Sequence, residues 1–285
     1  MENVEAPGTC ITKQTAFYPS MNQPLLLPTL SPSHLAPLAR VRMVLVETSH
    51  PGNIGAAARA MKVMGLARLT LVAPRVAVDD QAMRRASGAA DVLEQAHIVD
   101  TLDAALEGCA LAVAASARPR QLSPDVLDAR SAAAVLMATA ATAEVAIVFG
   151  NETSGLTNEQ ARRCQLLAHI PANQGYSSLN LAAAVQVFAY ELRMALLNPA
   201  DLQALTQPGG VSDVLASLDQ VEGLMQHCES ALAEIGFYDP ANPKRLLPRL
   251  RRLFSRARLE HEEVNILRGI LNAATRSSKN RDSGN

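Results

Sequence analysis

Apolar residues in this chain fall in short β-branched runs closed by polar, glycine-bearing loops, with stretches of helical spacing between them. From residue 41 the sequence reads VRMVLVE, then the polar SHPGNIG, then AAARAMKVMGL with its glycine at Gly65, then LTLVAP. This order predicts a strand, a turn, a helix ending at Gly65 and a second strand, one βαβ unit. The pattern recurs in the helix DDQAMRRA, the short strand AHIVD, the helix LDAALEG and the strand LAVAAS, and residues 131–141 add an alanine-rich helix. Such alternation predicts an α/β fold built on a parallel sheet with helices on both faces.

Residues 145–197 complete the pattern. VAIVF is closed by Gly150, LLAHI by Pro171, and each run is followed by a polar loop; a helix is expected from Ser178 to Leu197. Both loops therefore stand at strand C-terminal ends, the edge at which open α/β sheets bind ligands. The closing helix is apolar on nearly every face, broken by Asn180, Gln186, Glu191 and Arg193. Those polar groups make a membrane span costly, so burial against protein is expected. One sheet face is too narrow to cover an all-round apolar helix, which predicts a homodimer packed on it.

The pattern also divides the chain. Pro7, Pro19, Pro24, Pro28, Pro32 and Pro37 leave residues 1–38 without periodicity, so a disordered N-terminal tail is expected. Residues 39–198 form the α/β domain. A linker is expected over 199–211, where Pro199, Pro208, Gly209 and Gly210 lie. A small helical domain follows over 212–275, opening with an amphipathic helix over 212–236 capped by Ser212. Residues 276–285 are expected to be a disordered tail.

Composition narrows this picture. A chain of 285 residues with 48% hydrophobic content can bury one large core and one small one. Its net charge of -1 excludes a globally basic nucleic-acid binder. The charge is uneven, however: Lys244, Arg245, Arg249, Arg251, Arg252, Arg256 and Arg258 follow one another with no acidic residue between them. Such a cluster suits RNA phosphates. Cys10, Cys109, Cys164 and Cys228 form no CxxC pair and no zinc-ligand spacing, so a reducing, metal-free setting is expected. No basic segment followed by an apolar core suggests a secretory signal, and a cytoplasmic location is expected.

The chemistry is carried by the loops. The chain contains no GxxxxGK[ST], and its first loop lacks GxGxxG, which disfavours a nucleoside triphosphate or NAD. The loops around Asn53, Glu152 and Asn180 offer glycines, amides, hydroxyls and one carboxylate. They suit a ligand with adenosine-like edges and a positive centre, as in S-adenosylmethionine.

Three motifs sharpen this: NxGxxxR at Asn53, Gly55 and Arg59; FGxExxGL from Phe149 to Leu156; and SLN at Ser178, Leu179 and Asn180. Together they resemble the signature motifs of the SpoU class of SPOUT RNA methyltransferases. The segments HIVDTL, YSSLNLAAAVQV, RRLFSRAR and NILRGIL extend the resemblance over residues 40–275. They point to the branch of that class that methylates the ribose of nucleotide 32 in the tRNA anticodon loop.

The resemblance implies a C-terminal trefoil knot in the α/β domain, a homodimer, S-adenosylmethionine held in a bent form, a tRNA substrate, and no metal or membrane. It implies that Asn53, Arg59, Glu152, Ser178 and Asn180 carry the transfer. Phe149, Gly150, Asn151, Glu152, Gly155, Leu156, Ile170, Ser178 and Leu179 would hold the cofactor. Arg59 is too weak an acid to serve as a base, so stabilising the developing alkoxide or acting through a phosphate suits it better. Glu152 is expected to anchor its loop. Asn151 stands where close relatives carry arginine, which argues against an RNA contact there. Ser178 also suits the N-cap of the closing helix, and Tyr176 suits base stacking or packing. Rival readings are a SpoU enzyme acting on ribosomal RNA or another tRNA position, and a non-catalytic RNA-binding knot protein.

Overall fold

The structure is a computed structural model, and it describes residues 35–116, 125–173, 175–197 and 214–282. Its centre is a seven-stranded sheet ordered β3-β2-β1-β6-β4-β7-β5. The strands are β1 (Val41–Val46), β2 (Arg68–Val72), β3 (His97–Val99), β4 (Cys109–Ala115), β5 (Asp125–Asp128), β6 (Glu144–Phe149) and β7 (Leu166–His169). Every pairing is parallel. A parallel sheet needs cover on both faces, and alternate side chains of β1 supply it: Met43 and Leu45 join the larger core, Val44 and Val46 the smaller.

The larger core lies under α1 (Pro51–Met64), α2 (Asp80–Ala86), α3 (Ala90–Glu94), α5 (Ala129–Ala140) and α7 (Leu181–Leu197). On the other face lie α4 (Leu102–Leu106) and α6 (Asn158–Arg162), which bring Ala105, Leu106 and Ala161 into the smaller core. A separate cluster around Leu224, Cys228, Leu259 and Val264 belongs to three further helices. These are α8 (Leu218–Glu234), α9 (Leu246–Ala257) and α10 (His261–Asp282). No helix among the described residues is long and apolar enough to cross a membrane.

Several boundaries differ from the sequence expectation. Helix α1 begins at Pro51, inside the segment expected as a turn, because proline at a first helical position has its φ already set and lacks an N–H that would go unpaired. Strand β5 and helices α3 and α6 were not expected; α6 lies within the stretch expected as polar loop, where Thr157 and Gln160 form a capping box. Helix α7 begins at Leu181 rather than Ser178, because the cap is Asn180: its Oδ1 accepts from the N–H of Ala182 at 3.0 Å. Likewise α8 begins at Leu218, capped by a Ser217–Gln220 box, and the expected cap Ser212 lies outside the described residues. Residues ahead of Ser217 cannot continue that helix because Leu215 bridges Glu260 in a short antiparallel contact.

The ends differ as well. Residues 276–282, expected as tail, continue α10, which Lys279 ties to Glu234 at 2.8 Å. Residues 36–38, also assigned to a tail, sit in a 3-10 turn (Ala36–Arg40) that buries Leu38 and is fixed by Arg40 donating to the Ala140 carbonyl at 2.9 Å. Residues 1–34 and the expected linker over 199–211 lie outside the described residues.

The helical unit docks at the edge of the sheet where strands begin. Asp219 Oδ1 accepts from the N–H of Gly108, just ahead of β4, at 3.2 Å, and Arg258 donates to Thr139 Oγ1, ahead of β6, at 3.0 Å. Arg163, before β7, pairs with Glu222 of α8 and with Asp103.

Candidate methyl-transfer site

The opposite edge, where β1, β4, β6 and β7 end, carries the candidate site. Three loops meet there, and one carboxylate joins two of them. Glu152 Oε2 accepts from the N–H and Oγ of Ser49 at 2.9 and 2.8 Å. Its Oε1 accepts from the N–H of His50 at 3.2 Å and from Asn53 Nδ2 at 3.0 Å. A carboxylate only accepts, so Asn53 must turn its amide nitrogen toward Glu152 and its oxygen away. That oxygen accepts from Asn180 Nδ2 at 2.9 Å, and Asn180 Oδ1 in turn caps α7. The chain Glu152–Asn53–Asn180 thus has one polarity and links all three sequence motifs.

Burial opposes the charge on Glu152, but the hydrogen bonds from Asn53 and Ser49 outweigh it and hold its pKa below the usual carboxylate range. A carboxylate so engaged is an anchor and a poor proton acceptor. Asn151 is also engaged within the turn: Nδ2 donates to the Glu47 carbonyl at 2.7 Å, and Oδ1 accepts from the N–H of Thr153 at 2.9 Å. Only 8% exposed, it is held within the turn and has little reach toward RNA. The turn is tight enough to require Gly150, where a Cβ would stand 2.1 Å from the backbone of Gly155 and Leu156.

Beside this turn lies a cavity of about 330 Å³. Every residue from Phe149 to Leu156 lines it, with Ile170, Ser178 and Leu179, so all the positions expected to hold a cofactor face one space. Sequence reasoning missed Ser116, Ala184 and Phe188 on its wall. Leu181, Ala184 and Phe188 recur at helical spacing on α7, a signal legible once that helix is known to flank a pocket. It also missed Ser49, whose sign was a hydroxyl residue just beyond the end of β1. Tyr176 lines the cavity and is 81% exposed, so it does not pack within the chain. Ser178 faces the cavity and leaves the capping of α7 to Asn180. Among the described residues, no group of three or more His, Cys, Asp or Glu is placed to hold a metal ion.

Arg59 stands apart from this network. Six residues on from Asn53, it lies about 9 Å further along α1 and about 120° around it. It is exposed and has no hydrogen-bond or ion-pair partner among the described residues.

The expected RNA surface divides. Lys244, Arg245, Arg249, Arg252, Arg256 and Arg258 are exposed. Arg245, Arg249, Arg252 and Arg256 are spaced by four, three and four residues and share one face of α9. Arg251 does not belong to that face: its Nη2 donates to Glu222 Oε1 at 3.1 Å, and its side chain is only 23% exposed. Burial opposes the charge on Glu222, but Arg251 and Arg163 together hold its pKa below the usual carboxylate range. Arg251 therefore fastens α9 to α8, and Arg258 is fastened to Thr139.

A family model for the SpoU rRNA methylases matches residues 40–190, and one for the C-terminal domain of the tRNA methyltransferase TrmJ matches residues 219–283. The chain belongs to the SpoU methylase family. Among SpoU relatives, the tRNA (cytidine/uridine/adenosine-2′-O-)-methyltransferase TrmJ of Pseudomonas aeruginosa is 48% identical over 239 residues, 82% of this chain and 93% of that one. The tRNA (cytidine/uridine-2′-O-)-methyltransferase TrmJ of Escherichia coli K12 is 49% identical over 85% of this chain and 98% of its own. The crystal structure of TrmJ from Z. mobilis superposes with a TM-score of 0.70 at 31% identity, covering 81% of this chain and 97% of that one. The two matched segments coincide with the sheet-bearing unit and the three C-terminal helices.

Proposed function

We propose that this SpoU protein transfers the methyl group of S-adenosylmethionine to the ribose 2′-OH of nucleotide 32 in tRNA, with cytidine or uridine as the base. The observation that carries this reading is the Glu152–Asn53–Asn180 chain, which binds the three motif loops into one rigid mouth beside the cavity. The lining fits the cofactor. Leu156, Ile170, Leu181 and Phe188 offer an apolar wall for an adenine ring, and Ser116, Thr153 and Ser178 offer polar groups for the ribose and amino-acid ends. When bound, S-adenosylmethionine supplies an activated methyl on a positive sulfur. Phe149 to Leu156, Ile170, Ser178 and Leu179 hold it, and Glu152 fixes the turn through Ser49, His50 and Asn53.

The protein's remaining task is to present and activate the ribose hydroxyl, which loses its proton during attack. Arg59 is assigned that end of the reaction as a fixed cation that stabilises the developing alkoxide. Because Arg59 does not line its own cavity, it is assigned to the pocket of a partner subunit. A homodimer through α1 and α7 supports this, since Val63 of α1 and Tyr190 and Met194 of α7 are exposed apolar side chains. The knot implied by the family would form where β7 lies between β4 and β5 and leads to α7. Residues 39–198 then act as the transfer domain. Residues 212–275 act as the tRNA-holding domain, with Lys244, Arg245, Arg249, Arg252 and Arg256 at the phosphates, and a tRNA substrate supports a cytoplasmic location.

The test is to incubate tRNA transcripts with the protein and labelled S-adenosylmethionine and to map the alkali-resistant bond. One resistant bond, after nucleotide 32, is expected with cytidine or uridine there. A transcript with adenosine at that position sets the base range, since the Pseudomonas aeruginosa relative is named for adenosine as well. Label in ribosomal RNA or at another tRNA position would replace the assignment, and no transfer at all would leave only a binding protein.

A further inference from the structure

The sheet-bearing unit engages most of its guanidinium groups. Arg42 and Arg68 meet Glu144, Arg75 meets Glu47, Arg130 meets Glu191, and Arg163 meets Glu222 and Asp103. Arg40 and Arg193 donate to backbone carbonyls. Among the described residues of this unit, Arg59, Arg84, Arg85 and Arg162 have no hydrogen-bond or ion-pair partner. Arg162 lines the cavity beneath α8. The other three share the α1–α2 surface, and all three are exposed.

That surface is closely packed and near the site. A Cβ on Gly55 would stand 2.0 Å from the carbonyl oxygen of Ala82, so α2 seats directly on the backbone of α1. The glycine of the first motif thus serves helix packing, where any side chain would displace α2. One turn earlier, the Arg85 Cγ lies 3.7 Å from where a Cβ on Gly52 would stand. Gly52 adjoins Asn53, the middle member of the Glu152–Asn53–Asn180 chain. Arg85 is therefore a cation with no partner among the described residues beside the mouth of the transfer site, and Arg84 precedes it on the exposed side of α2.

We propose that Arg84 and Arg85 form an RNA phosphate-binding site on the transfer domain itself. It takes the backbone phosphates flanking the nucleotide whose ribose is methylated. The proposal rests on the RNA-methylation reading and deepens it. A guanidinium matches a phosphodiester's paired oxygens, and fixing the phosphates beside the target sets the sugar's position relative to Asn53. Gly55 belongs to this device because it seats the helix that carries both arginines.

The test compares the Arg84→Ala/Arg85→Ala double variant with Arg84→Lys/Arg85→Lys and the unaltered protein. In each, KM for tRNA, kcat, S-adenosylmethionine affinity and the salt dependence of tRNA binding are measured. The alanine pair is expected to raise KM about tenfold and to lower the slope of log K against log salt by about 1.4, at roughly 0.7 for each single-strand phosphate. S-adenosylmethionine affinity should stay within about twofold, which reports an intact pocket, and the lysine pair should recover most of the slope. An unchanged slope and KM in the alanine pair would overturn the site. So would a raised KM with an unchanged slope, since that marks a packing effect. If the unaltered protein itself fails to methylate tRNA, the underlying functional reading fails instead.

Discussion

At the pocket, Glu152 is enclosed by the donors of Ser49, His50 and Asn53, and both Asn53 and Asn180 have each end of their amides engaged. On α9, at the far edge of the molecule, Arg245, Arg249, Arg252 and Arg256 stand exposed along one face. The first region uses polar groups to fix geometry, and the second displays them. A methyl transfer tolerates little misplacement of the reacting atoms, so groups at the pocket must be locked before substrate arrives. Phosphate contacts act over longer distances and tolerate mobile side chains. Arg251 and Arg258 show that membership of a basic run does not decide which mode a residue follows, because Glu222 and Thr139 have drawn them into the first.

The largest effect that can break this contrast belongs to Arg59, an exposed residue assigned to chemistry. Arg59→Ala is expected to lower kcat at least about 100-fold, with tRNA and S-adenosylmethionine binding nearly intact. Single-turnover methylation beside equilibrium binding checks this. Near-normal turnover would return Arg59 to the displayed class. Next comes Glu152→Ala, which strips the acceptor from Ser49, His50 and Asn53 in the segment after β1 and is expected to cost about 1–3 kcal/mol of stability. Its thermal midpoint should fall and its S-adenosylmethionine affinity should weaken together; an unchanged midpoint would show that the carboxylate is no anchor.

The smallest and sharpest test sets two arginines of one run against each other. Arg249→Ala is expected to reduce the salt slope of tRNA binding by roughly one unit or less while leaving stability unchanged. Arg251→Ala is expected to leave the slope alone and to cost on the order of 1 kcal/mol, because among the described residues Glu222 then keeps Arg163 alone. Reversed outcomes in the pair, read by filter binding across salt and by thermal melts, would place Arg251 on the RNA and Arg249 in the scaffold.

Much of this was legible along the chain. The apolar β-branched runs and the helical spacing between them identified β1, β2, β4, β6 and β7, and the order of the motifs identified the loops that line the cavity. The helix starts were not legible, because Asn180 and Ser178 are equally acceptable caps until a partner decides. Asn53 is that partner, and it lies 127 residues away from Asn180 along the chain. Strand β5 is a short edge strand held by pairing with β7 and by Leu127 packing on the larger core, both remote from it in sequence.

By itself, the sequence determined the alternation that makes a parallel sheet, the positions of its polar loops and the identity of the groups they carry. Those depend on local periodicity and turn chemistry, which neighbouring residues settle among themselves. Only the tertiary structure decided what those groups do. It gave Glu152 its four hydrogen bonds, turned Asn151 inward, assigned Gly55 to the α1–α2 contact, and left Arg59, Arg84 and Arg85 without partners among the described residues. A polar side chain's role is set by whether a partner lies within about 3 Å, and that distance is fixed by elements remote in sequence.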